Sequence, residues 1–165
     1  MKKLMNLCLI ILSVICCSTL LVGCGKNTDT QKQEYAERII QAMMTTPNDE
    51  LYSRDAFTAI GEGVPENAEE TEAQKDLKEN WNSAVGECFA DGALEEFVLG
   101  GPATQYLGEA DMTKTDISVS EIELTQEEDD TAYYTVTMKA GSNERTEKLF
   151  FRFSSEGLVE EVRIM

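Results

Sequence analysis

The side chains able to do chemistry are unevenly supplied in this chain, which has 31 Asp and Glu and five Cys but no His among its 165 residues. Without imidazole, neither a Ser-His-Asp nor a Cys-His catalytic arrangement can be built, and no zinc site can use a histidine ligand. Carboxylate and thiol chemistry remain. Asp91 and Glu87 lie near the end of a helical pattern, where a carboxylate general base would be sought, but neither is marked as buried, so both read as solvated surface acids. Glu127-Glu128-Asp129-Asp130 lacks the alternating ligands and central Gly of a calcium loop and reads as a polar hairpin tip. Cys88 sits on an apolar stripe beside Phe89, near the C-terminal end of its helix, where the macrodipole disfavours a thiolate. It is expected to be an inert core thiol. No catalytic residue, metal or cofactor is expected.

The other four cysteines fall within the first 24 residues, at Cys8, Cys16, Cys17 and Cys24. Lys2 and Lys3 form a basic start, and Leu4 to Gly23 is apolar apart from Asn6, Ser13, Ser18 and Thr19, which is the shape of a secretory signal. An uncleaved transmembrane anchor is the other reading of a run this long. The segment ends in Leu21-Val22-Gly23-Cys24, which resembles the lipobox of bacterial lipoproteins. That resemblance implies cleavage before Cys24, a diacylglyceryl group on its sulfur, and acyl chains such as palmitate as the anchor. The expected location is extracytoplasmic, lipid-anchored to the bacterial cell membrane. Cys88 would then be the lone unmodified thiol, with no disulfide open to it, and the fold would rest on its core.

Removing residues 1–23 takes away Lys2 and Lys3 and no acid, which leaves 142 residues with 12 basic and 31 acidic side chains, a net charge of −19. A chain this acidic repels polyanions, so nucleic acid is not an expected partner. Headgroup repulsion also opposes the domain lying flat on an anionic membrane, within a screening length on the order of 10 Å.

The elements that must position these residues follow from periodicity. Residues 24–30 read as a polar tether carrying lipidated Cys24, and 31–165 as a single domain. Tyr35, Ile39 and Met43, with Ala36, Ile40 and Met44 beside them, predict a helix from Gln31 that Pro47 ends. A short second helix is expected within Asp49–Ile60, before Gly61-Glu62-Gly63-Val64-Pro65 breaks the chain. A long third helix is expected from about Asn67, with Ala73, Leu77, Trp81, Ala84, Val85, Cys88 and Phe89 on one stripe. Asp91-Gly92 should end or bend it, and Ala93 to Leu99 adds a turn or two before Gly100-Gly101-Pro102. Residues 103–114 carry no decisive period.

From Ile117 the period becomes two. Ile117 and Val119 are followed by Ile122 and Leu124 on the opposite parity, which predicts a bulge near Glu121. Tyr134-Val136-Met138-Ala140, Leu149-Phe151-Phe153 and Leu158 to Ile164 mark three more strands. The loops, Gln126 to Asp130, Gly141 to Asn143 and Ser154 to Gly157, are short enough to force antiparallel neighbours. The expectation is an α+β domain in which N-terminal helices pack on a curved four-strand antiparallel meander, the third helix covering the apolar sheet face.

This order resembles the nuclear-transport-factor-type, or cystatin-like, cone over residues 31–165. The stretch Leu77 to Gly86 is similar to the Trp-bearing helix of some secreted members, and Leu149-Phe150-Phe151-Arg152-Phe153 with Glu156-Gly157 is similar to the superfamily's final hairpin. Leu158 stands where members often carry Lys. The resemblance implies a cone that can enclose a pocket, here lined by Trp81, Phe89, Tyr134, Phe151 and Phe153, unless those rings simply fill the core. Enzymes of this fold often use a histidine in the cone, and this chain has none to offer. Members include enzymes, binding modules and interaction domains, so the fold fixes no activity. The expected function is a non-enzymatic ligand-binding or accessory module with an unnamed small-molecule or protein partner. A carboxylate-based enzyme and a pocketless interaction or inhibitory module are the alternatives.

Overall fold

The computed structural model describes residues 28–58, 71–100 and 102–165. The signal segment and Cys24 lie outside the described residues, as do Ile60 and the expected start of the third helix at Asn67. The element order is α1 (Thr28–Met44), α2 (Arg54–Thr58), α3 (Glu72–Val85), α4 (Ala93–Leu99), α5 (Gln105–Thr113), β1 (Ile117–Glu128), β2 (Thr131–Ala140), β3 (Asn143–Phe153) and β4 (Val159–Ile164). Helices precede a four-stranded antiparallel sheet of order β1-β2-β3-β4.

α1 starts at Thr28, so Thr28-Asp29-Thr30 form its first turn rather than the end of a tether. Asp29 there complements the positive end of the helix dipole. Its buried residues Ala36, Ile39, Ile40, Met43 and Met44 repeat at three and four, which makes one continuous apolar face. After it the chain turns through a cis Thr46–Pro47 bond. Thr46 then seals the end of the sheet: its N–H donates to the Ile117 carbonyl at 2.8 Å, and its Oγ1 accepts from the Ile117 N–H at 2.6 Å.

α3 begins at Glu72 because Thr71 and Gln74 form a capping box. Thr71 Oγ1 accepts from the Gln74 N–H at 3.3 Å, and Gln74 Oε1 accepts from the Thr71 N–H at 2.8 Å. The helix ends at Val85, earlier than the apolar stripe suggests. Gly86–Cys88 form a 3-10 turn, and Phe89 is extended and bridges to Val159, where Ala90 N–H donates to the Val159 carbonyl at 2.9 Å. Cys88 and Phe89 thus leave the helix, and Phe89 and Ala90 meet the free edge of β4 at Val159. Gly92, in a left-handed conformation at φ 79°, turns the chain into α4.

α5 occupies part of the stretch without a decisive period and buries Tyr106, Leu107 and Ala110. Its signal is weak because it is nine residues long and has Gly108 next to its centre.

β1 carries two bulges. The expected one places Ser120 between the Val119–Met138 and Glu121–Thr137 pairs, and a second places Thr125 between Leu124–Tyr134 and Gln126–Tyr133. Both extra residues are hydroxyl side chains that donate across the ladder, Ser120 to the Thr137 carbonyl and Thr125 to the Tyr133 carbonyl, each at 3.0 Å. The first bulge returns Ile122 and Leu124 to the face that holds Ile117 and Val119, and both bend the strand. β1 runs through Glu128, so Glu127 and Glu128 are strand residues and only Asp129-Asp130 form the turn, a correction to the longer loop expected there.

The helices that pack on the sheet are α1, against β1 and β4, and α4, against β4, rather than the third helix. α3 directs Leu77, Trp81 and Val85 into the core while packing on α1, α2 and α4, one layer further out. On the opposite sheet face, Phe150 is buried apart from the core beneath Tyr133, whose ring centre lies 5.3 Å away, and Arg163, 4.3 Å above it.

Candidate functional site

The five aromatic residues read as a pocket lining are all buried, and their rings touch in two separate groups. Among the helices, Trp81 meets Phe97 edge-on at 5.6 Å and Phe97 meets Phe89 at 5.1 Å. On the sheet, Tyr134 meets Phe151 at 5.4 Å and Phe151 stacks on Phe153 at 6.2 Å. The Trp81 indole N–H donates to the Leu51 carbonyl at 3.0 Å. None of the five lines the clefts described below. Burial pushes the Tyr134 phenol well above its ordinary value.

Cys88 is fully buried and unpaired, and burial pushes its thiol up to about 11 against a weaker opposing pull from the Arg38 charge. A thiol so placed is almost wholly un-ionised at neutral pH. Glu87 and Asp91 are both exposed, and Glu87 pairs with Arg38, whose guanidinium also reaches the Ala84 carbonyl.

Several shallow surface depressions lie along α4, and two neighbouring ones share the Pro47 segment. The larger, about 560 Å³, is an open cleft between the C-terminal end of α1, the segment after it and α3; Gln41, Thr45, Asn48, Glu50, Asn80 and Ser83 supply its polar groups. Asn80 Nδ2 donates to the Glu50 carbonyl at 2.8 Å, and the Leu51 N–H donates to Asn48 Oδ1 at 3.2 Å, so local bonds hold the amides in place. The second cleft, about 270 Å³, shares Pro47 and Asn48 and continues to Asp49, Tyr52, Asp111 and Lys114. Asp111 is held by Lys114 at 2.7 Å and by Arg54 at 2.5 Å, and these hydrogen bonds hold its carboxyl below the usual carboxylate range. The first cleft therefore sets mainly neutral polar groups among apolar surface, and the second gathers Asp49, Asp111 and Asp116 around Lys114, with Arg54 also on Asp111. Periodicity could not find this site, because most of its residues lie on helix ends and a loop. The one legible signal was Pro47 as a helix stop.

A second polar cluster joins α5 to β3. Arg145 grips Glu109 through two parallel hydrogen bonds of 2.8 and 2.6 Å and lies 5.3 Å from the Tyr106 ring centre. Burial, and then the Glu147 charge, push the Tyr106 phenol up, and its hydroxyl finds no hydrogen-bond partner among the described residues. The fork ties a helix to the sheet across 36 positions of chain, which is a structural clasp.

Among the described residues, no group of three or more Cys, Asp or Glu is placed to hold a metal ion. No helix among them is long and apolar enough to cross a membrane. No family model, curated protein or solved structure matches this chain.

Proposed function

We propose that this protein is an extracytoplasmic lipoprotein, anchored through Cys24, that acts as a non-enzymatic accessory module and engages a polypeptide partner at the joined Pro47 clefts. The observation that carries the reading is the chemistry of the larger cleft. It is open and sets the amides and hydroxyls of Gln41, Thr45, Asn48, Asn80 and Ser83 among apolar surface from Ala42, Pro47, Leu51 and Ala84, which suits an extended segment with alternating polar backbone and apolar side chains better than a small molecule needing enclosure. The filled aromatic core supports a module that works from its surface. The anchoring half of the proposal rests on Lys2, Lys3, the apolar run and Leu21-Val22-Gly23-Cys24 occurring in order. The doubly bulged meander wrapped on α1 is consistent with a cystatin-like cone, which we propose as the finer fold.

Native mass spectrometry of the protein purified from its own cells tests the function, with Ser83→Arg, an exposed cleft position, alongside. A co-purifying polypeptide that is lost in Ser83→Arg is expected. A retained small molecule would instead make this a ligand-binding module, and a polypeptide retained equally by both proteins would remove the cleft from the interface.

A further inference from the structure

We infer that the end of the domain carrying the β1–β2 and β3–β4 turns faces the lipid bilayer and that the Pro47 clefts open away from it. This rests on the lipid attachment at Cys24 proposed above. Thr28, the first residue of α1, follows Cys24 by four positions, and covalent reach limits their separation to about 14 Å.

The N-terminal end of α1 lies against two of the sheet's three turns, β1–β2 and β3–β4. Lys32 Nζ donates to the Asp129 carbonyl at 2.7 Å, and a methyl group added at Gly157 would lie 3.0 Å from Thr28 Cγ2. From there α1 rises about 25 Å along its 17 residues. It delivers Thr46 to Ile117, the opposite end of β1 from Glu128 and the Asp129 turn. The helix is thus longer than the link to the anchor, and the clefts begin where the helix ends. The short link decides which end lies nearest the bilayer, and charge then opposes a flat posture. Lying flat would bring acids from the whole length of the chain after Gly23, net charge −19, within about 10 Å of anionic headgroups, whereas standing on the turn end brings only the acids of that tip, Asp29, Glu127 to Asp130 and Glu156.

The test uses the full lipidated chain in vesicles of phosphatidylcholine and phosphatidylglycerol that carry a headgroup-level quencher. In a Cys88→Ala background, a fluorophore is placed singly at Asp130→Cys, Glu156→Cys, Glu50→Cys or Ser83→Cys, all exposed positions. Quenching at Asp130 and Glu156 at least threefold stronger than at Glu50 and Ser83 is expected. Equal quenching at all four, or stronger quenching at the cleft positions, in protein that floats with the vesicles would overturn the orientation and leave the anchor standing. Flotation no greater than that of Cys24→Ala would overturn the anchor, and the orientation with it.

Discussion

The indole N–H of Trp81 donates to the backbone carbonyl of Leu51, 30 residues away, at 3.0 Å. Both residues are buried, so one side chain fills the space between α3 and α4 and also satisfies a carbonyl of the segment that forms the cleft wall. The core and the candidate site are therefore mechanically joined at Trp81.

Trp81→Ala should remove the largest fully buried side chain and orphan that carbonyl, at a cost of about 3–5 kcal/mol. Urea unfolding measures it. Trp81→Phe, which keeps most of the volume but not the donor, should fall between the two proteins. A loss under about 1 kcal/mol in Trp81→Ala would place the ring outside the core.

Thr71→Ala removes half of the α3 capping box and should cost about 0.5–2 kcal/mol, with Thr71→Ser nearly neutral. Thermal unfolding followed by circular dichroism compares the three. Equal midpoints for the alanine variant and wild type would show that the box contributes nothing to α3.

Cys88 should react slowly with thiol reagents in the native protein and quickly in denaturant, since it is fully buried. Its pH effect has a definite sign. Burial raises the folded thiol from the ordinary 9.0 to about 11, so its contribution to stability is complete below pH 9 and is lost as pH rises towards 11, where only the unfolded chain has readily ionised. The stability difference between wild type and Cys88→Ala should accordingly shift against wild type by on the order of 2 kcal/mol between pH 8 and pH 11. A constant difference across that range would mean that the native thiol ionises normally.

Asp111 works in the opposite direction. Lys114 and Arg54 lower its folded value, so its stabilisation is present above the unfolded value of 3.8 and is lost as pH falls through the lower folded one. Asp111→Asn should flatten this part of the acid limb of the stability profile. Acid unfolding curves that superimpose for the two proteins would refute the pairing. The effect should be small and should shrink in added salt, because both cations are largely exposed.

The sheet was legible in the sequence because its cause is local. Alternation along Tyr134, Val136 and Met138 and along Leu149, Phe151 and Phe153 gives each strand a buried side, and short polar turns leave only antiparallel neighbours. The parity break between Val119 and Ile122 likewise announced the first bulge, whereas the bulge at Thr125 is followed only by Gln126, Glu127 and Glu128, with no apolar residue in β1 to reveal it. Thr71 and Gln74 carried the true start of α3 in their spacing, but the charged residues before them extended the apparent helix.

What the chain's own pattern could not decide is which apolar surfaces meet. α1 and α3 both carry an apolar stripe, and periodicity ranks neither as the one that lies on the sheet. That choice follows from Thr46 bonding to Ile117 and Lys32 to Asp129, contacts between residues 71 and 97 positions apart that hold α1 at both ends. The same long-range closure divides the aromatic residues into two clusters and opens the clefts beside Pro47. Local propensity fixes which side of an element is apolar, while the partner of that side is chosen only when the whole chain closes around one core.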